Sequence, residues 1–161
     1  MQKIVLFIFI LSSLPLLLSA QNALVLGTYQ ANTTVGEEVC VQMYGRQFNG
    51  IVSMQYTLQW NPKHLKYRGV QNFGLRGLSD QNFGTQQQTD GLLTAAWYDP
   101  QLRGISLKEG SVVYEVCFEV IGGKGETTKL AFVETPTTIE VSNAQSQLIP
   151  LQSEVGKINI R

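Results

Sequence analysis

The residues able to do chemistry are few. His64 is the single histidine of the 161-residue chain, and it follows Asn61-Pro62-Lys63 in a segment that reads as a turn. A Ser-His-Asp or Cys-His centre would have to be built on it, yet neither Cys40 nor Cys117 stands in a recognisable nucleophile context. An exposed turn residue is the simpler reading of His64. No GxSxG, phosphate-cradling loop, HExxH or calcium-loop pattern occurs, so no motif asks for a metal or a cofactor. Glycoside hydrolysis needs only two carboxyl groups at the right separation in space. Asp80, Asp90 and Asp99 qualify by residue type, and each equally fits a turn, where Asp bonds its own backbone. The sequence reads as a protein that binds rather than one that catalyses.

The two cysteines are better placed for structure. An even count in a chain expected to be secreted favours a disulfide over two reduced thiols. Neither CxxC nor a neighbouring histidine is present to suggest a metal or redox role. Cys40 lies in Glu38 to Tyr44, where Val39, Val41 and Met43 share one face and Glu38, Cys40 and Gln42 the other. Cys117 lies in Ser111 to Ile121, where Val112, Tyr114, Val116, Phe118 and Val120 face inward. Both cysteines are thus expected opposite an apolar stripe, on the solvent side of adjacent antiparallel strands.

The same period of two runs through Ile51 to Trp60, with Val52, Met54, Tyr56, Leu58 and Trp60 inward and Ser53, Gln55, Thr57 and Gln59 outward. Shorter strands are expected at Leu24 to Gln30, Leu65 to Val70, Leu92 to Tyr98, Lys129 to Val133, Thr137 to Val141 and Gly156 to Ile160. Turn signals separate them, among them Asn49-Gly50, Asp90-Gly91, Asp99-Pro100 and Gly122-Gly123. About nine strands with one apolar face each need a second sheet to cover that face, which makes the fold an all-β, two-sheet β-sandwich. Gln71-Asn72-Phe73-Gly74 recurs as Gln81-Asn82-Phe83-Gly84, too short a likeness for a repeat architecture and best read as two turns or strand ends of the same chemistry.

Residues 1–20 carry one positive charge at Lys3, then an apolar run to Leu18 broken by Ser12, Ser13 and Pro15, and a small residue at Ala20. That pattern is expected to be a secretory signal peptide cleaved after Ala20, and no later segment could span a membrane. Without Lys3, 12 minus 1 leaves 11 basic residues against 12 acidic ones, a balance with no footprint for nucleic acid or an anionic membrane. The remaining 21–161 suffice for one domain.

A family resemblance emerges from the order of these pieces. Val35-Gly36-Glu37-Glu38-Val39, Gly50-Ile51-Val52 and Trp60-Asn61-Pro62-Lys63-His64-Leu65 are followed by Glu109-Gly110-Ser111-Val112 and Leu130-Ala131-Phe132, and Gly156-Lys157-Ile158-Asn159-Ile160 closes the series. The set resembles the cohesin domain, and it departs from that family in having Asn61 for the usual Asp and in its paired cysteines. The resemblance implies a nine-stranded jelly roll and a non-catalytic receptor for a dockerin-like or other extracellular protein. It further implies assemblies linked to polysaccharide degradation. Direct carbohydrate binding, or a cell-surface adhesion or structural role, stays open beside it. Carried over by position, the docking face would comprise Ser53, Gln55 and Thr57 on one strand and Thr94, Ala96 and Tyr98 on another. Tyr98 would be the anchor, since aromatic residues with a polar tip dominate interface energies. Intact-mass measurement of secreted material should give a chain beginning at or near Gln21; a mass retaining residues 1–20 would refute the cleavage.

Overall fold

The computed structural model describes residues 22–161, so the expected signal segment lies outside the described residues. Thirteen strands follow in order: β1 (Leu24–Thr28), β2 (Ala31–Thr33), β3 (Glu38–Arg46), β4 (Ile51–Gln59), β5 (Leu65–Gln71), β6 (Phe83–Gly84), β7 (Leu92–Tyr98), β8 (Ser111–Val120), β9 (Thr127–Lys129), β10 (Ala131–Val133), β11 (Glu140–Asn143), β12 (Leu151–Glu154) and β13 (Lys157–Ile160). Eight of the nine expected segments appear in place, with Lys129 to Val133 divided between β9 and β10. The strand expected at Thr137 to Val141 is shifted to Glu140–Asn143, because residues 134–139 cross over β4 instead. The additional strands β2, β6 and β12 are short.

Two five-stranded sheets face each other. The back sheet has the order β12-β1-β3-β8-β5, and the front sheet β10-β4-β7-β6 with β11 also paired to β4. A small third sheet, β2-β13-β9, buries Ile158, Ile160 and Thr128. The chain passes repeatedly between front and back, as a jelly roll does. Met43, Phe118, Val116 and Leu65 of the back sheet are buried together with Tyr56, Leu58, Leu93 and Trp97 of the front. Each such side chain contributes about 1.5–3 kcal/mol when fully removed from water. In the middle, Tyr56 of β4 and Tyr114 of β8 bond hydroxyl to hydroxyl at 3.0 Å. Burial raises the pKa of both phenols above the ordinary value, so both stay neutral.

Two positions depart from strict alternation. Val52 and Val112 are only half-buried, while their neighbours Ile51 and Val113 are in the core. At both places the pairing register slips: between Ser142 and Asn143 against β4, and between Met43 and Tyr44 against β8. A bulge inserts one unpaired residue and exchanges inside for outside beyond it. The expected inward positions of Val52 and Val112 are corrected accordingly.

The excursion between β5 and β7 closes one flank of the sandwich. Its own Leu75 and Leu78 are buried against the core. The two Gln-Asn-Phe-Gly copies meet there, Phe73 stacking on Phe83 with centroids 6.3 Å apart.

Cys40 and Cys117 are directly opposed on β3 and β8 and form the expected disulfide. Cys117 is itself buried, so the bridge sits in the outer surface of the back sheet and not on top of it. It closes a loop with a sequence separation of 77. Replacing both cysteines by serine should therefore lower stability by roughly 2–4 kcal/mol, mainly by freeing the unfolded chain. Urea denaturation of the oxidised protein and the double variant measures this; equal midpoints would mean the bridge constrains nothing.

Candidate functional site

The outer surfaces of the two sheets differ in kind. On the back sheet nearly every charge has a partner. Glu119 pairs with Lys66 and Arg68, and Arg46 with Glu154. Glu115 accepts hydrogen bonds from Gln42 at 2.9 Å, Gln71 at 3.0 Å and Asn72 at 3.2 Å, which hold its carboxyl below the usual range. A partner covering this surface would have to desolvate an interlocked set of charges, a costly step.

The front sheet presents mostly small neutral groups, with Glu140 at its β11 edge. Pairing across β11, β4 and β7 sets Ser142, Ser53 and Tyr98 in one row and Glu140, Gln55 and Ala96 in the next. The Ser53 and Ser142 hydroxyls are 2.7 Å apart and bond to each other. Asn82 steadies the far edge by donating to the Ala96 carbonyl at 2.9 Å. Leu148, bridged to Ser142, extends the first row. The row thus runs from Leu148, 67% exposed, over two serines to Tyr98, 62% exposed. Ser53, Gln55, Ala96 and Tyr98 line a shallow depression of about 280 Å³.

Five of the six residues expected on this face lie there: Ser53, Gln55, Thr94, Ala96 and Tyr98, with Ala96 and Tyr98 the most open. Thr57 does not. The segment 134–139 crosses over it, and its hydroxyl accepts the Thr137 amide at 3.0 Å and donates to the Thr137 carbonyl at 3.3 Å. Thr57 is fully buried and fixes that crossing instead of meeting a partner.

Tyr98 owes its position to the next residue. Asp99 is completely buried and ion-paired to Arg76, whose Nε and Nη2 reach one carboxylate oxygen at 3.0 and 2.7 Å. Gln101, Arg103 and Gly104 donate backbone amides to the same carboxylate. These bonds wind residues 99–104 into a turn that carries Leu102, 68% exposed, at the end of β7. Gly104 has φ +80°, and a Cβ there would lie 2.6 Å from the Gly50 carbonyl oxygen, so only glycine fits.

None of the remaining chemical candidates forms a reactive centre. His64 is not the exposed turn residue its context suggests. Its carbonyl accepts the Ile121 and Gly122 amides, and its Nε2 lies 3.4 Å from Glu126, fastening the β4–β5 turn to the loop after β8. Asp80 and Asp90 are exposed at single-turn 3-10 helices, Asp80–Asn82 and Gln88–Asp90, while Asp99 is sealed by Arg76.

The family model for the cohesin domain matches residues 23–160, nearly all of the described chain. The chain belongs to the cohesin family. Cohesin domains are non-catalytic protein–protein interaction modules, in agreement with the absence of a catalytic motif. Solved cohesins share the fold at low identity. A cohesin of Clostridium thermocellum, OlpA, in complex with a dockerin superposes with a TM-score of 0.72 at 14% identity, covering 87% of this chain and 100% of that one. The sixth scaffoldin B cohesin of Acetivibrio cellulolyticus, also dockerin-bound, gives 0.72 at 16%, again with 87% and 100% covered. A non-cellulosomal cohesin from the archaeon Archaeoglobus fulgidus gives 0.70 at 15%, with 87% and 92% covered. No curated protein sequence matches this cohesin.

The Asp99 pair predicts an acid dependence. Burial alone would raise the Asp99 pKa, but the Arg76 bonds, the backbone amides and the Arg76 charge outweigh it and hold the carboxyl below its usual value. The unfolded chain therefore takes up the proton first, near the reference pKa of about 3.9. Stability from this pair is complete above about pH 5 and is lost as pH falls through the folded-state pKa. Asp99→Asn should lower the melting midpoint at pH 7 and flatten its decline in acid. A midpoint with wild-type pH dependence in that variant would show the pair to be dispensable.

Proposed function

We propose that this cohesin is a secreted receptor module whose front sheet docks a dockerin, as part of an extracellular assembly associated with polysaccharide degradation. One observation carries the reading: the front face is small and neutral between the exposed side chains of Tyr98 and Leu148, while the back face is laced with ion pairs. A partner can exclude water from the row between Tyr98 and Leu148 without stranding a charge, and these two side chains flank a floor of serine hydroxyls. The dockerin-bound state of several similar structures supports the choice of partner. A disulfide fits an oxidising compartment, which supports secretion.

Direct glycan binding has one observation in its favour. Tyr29 and Tyr44 stand together on the outer side of the back sheet, centroids 4.6 Å apart, where aromatic rings could stack on sugars. Their hydroxyls are already engaged, Tyr29 with the Gly110 carbonyl and Tyr44 with Glu154, and the Arg46 guanidinium covers the Tyr44 ring. The cluster is largely self-satisfied, so protein docking remains the better reading.

Binding of the mature domain to a panel of dockerin modules by calorimetry, beside a polysaccharide affinity-gel series, separates the two. A dockerin should bind, and Tyr98→Ala should weaken it by roughly 2 kcal/mol or more if Tyr98 is the anchor. Gln30→Ala, outside the face, should leave affinity unchanged. Retardation by a polysaccharide with no dockerin bound would reverse the assignment.

A further inference from the structure

The front face does not stop at Leu148. Beyond β11 the chain turns back, and the Ile149 amide donates to the Val141 carbonyl at 2.9 Å, so Leu148 and Ile149 run alongside that strand before the chain joins β1 at Leu151. The 134–139 crossing that covers Thr57 stands at the near end. Between them lies a pocket of about 200 Å³ walled by Ile139, Leu148, Ile149 and Leu151. Its lining also includes two carboxylates, Glu134 and Glu140. Glu140 lines the front depression too, so pocket and face are continuous.

These two acids differ from Glu119 and Glu154 of the back sheet, which are held by basic side chains. Among the described residues neither Glu134 nor Glu140 forms an ion pair, so both carboxylates are open to a cation from outside. Glu134 holds the crossing in place by accepting the Ile139 amide at 2.8 Å through one oxygen, which fixes its carboxylate at the pocket. Aliphatic walls beneath an anionic rim suit one type of side chain. Lysine and arginine lay a hydrocarbon stem on apolar surface and keep the charged head at a polar margin. A neutral or acidic side chain would leave both carboxylates without a counter-charge as the interface dried.

The geometry points to this pocket as a specificity anchor of the docking surface, taking one lysine or arginine side chain of the partner protein. The stem packs on Ile139, Leu148 and Ile149, and the head meets Glu134 and Glu140. This inference rests on the docking reading of the front sheet and adds the chemistry that selects among partners. Tyr98 and the serine floor would accept many apolar surfaces, whereas the pocket rewards only a basic residue at the correct distance from them.

The test is a display library of dockerin modules randomised at surface positions and selected against the wild-type mature domain. Selected binders are then measured on Tyr98→Ala and on Glu134→Gln/Glu140→Gln. Glutamine keeps an oxygen for the Ile139 amide, and an unchanged melting midpoint confirms that the double variant is folded. Binders should be enriched in lysine or arginine at one randomised position and should lose about tenfold or more in affinity on the double glutamine variant. A library yielding no dockerin binder removes the docking reading and the anchor together. Binders without basic enrichment, or binders that weaken on Tyr98→Ala yet keep full affinity on the double variant, overturn the anchor alone. A basic enrichment that survives the loss of both carboxylates assigns the cation to another site and also overturns it.

Discussion

The two sheets are held in one relative position by a polar contact at the driest point of the molecule. Tyr56 and Tyr114 enter the core from opposite sheets, and each hydroxyl has the other as its partner. Apolar packing alone tolerates sliding, because one aliphatic contact replaces another at little cost. Two buried phenols do not. A shift that separated them would leave two polar groups without partners in a low-dielectric interior, at about 1–3 kcal/mol each. The rings add to the restriction, Tyr56 edge-on to Phe132 and Tyr114 against Phe83. Register between front and back follows from this contact, and the shape of the front face follows from the register.

Around that tie the structure divides its polar chemistry. Ion pairs and amide networks are gathered on the back sheet, where they occupy a wet surface at modest cost. Between Leu148 and Tyr98 the front sheet carries hydroxyls, with an amide and an alanine in the next row and Glu140 at its edge. Asp99, the one fully buried charge among the described residues, is placed below the end of the front sheet, enclosed by Arg76 and three backbone amides. It shapes the turn after Tyr98 without showing charge to a partner.

Much of this was legible in the residues. The alternation in Glu38 to Tyr44 and Ser111 to Ile121 put Cys40 and Cys117 on matching faces, and the strands pair them directly. Leu92 to Tyr98 was readable to its ends. The bulges were not, because Ile51-Val52 and Val112-Val113 are adjacent apolar pairs in which either member could face inward. The burial of Thr57 depends on a segment 80 residues away, and that of Asp99 on Arg76, 23 residues earlier. Neither partner announces itself locally. Strands β2 and β12 carry almost no apolar alternation and form by parallel pairing with distant segments. Leu148 stands outside any strand pattern and becomes part of the face only through its bridge to Ser142.

The disulfide also governs how the molecule responds to tension. The chain between Cys40 and Cys117 contains β4, β5, β6 and β7, and with them Ser53, Gln55, Ala96 and Tyr98. A pull on the two termini can unravel β1, β2 and the strands after β8, but it reaches the bridge and goes no further. Tension then bypasses the enclosed loop, whose 77-residue separation corresponds to roughly 260 Å of extended chain kept in reserve. The front face from β4 to β7 therefore lies off the load path between the ends, shielded from direct stretching while the bridge is intact.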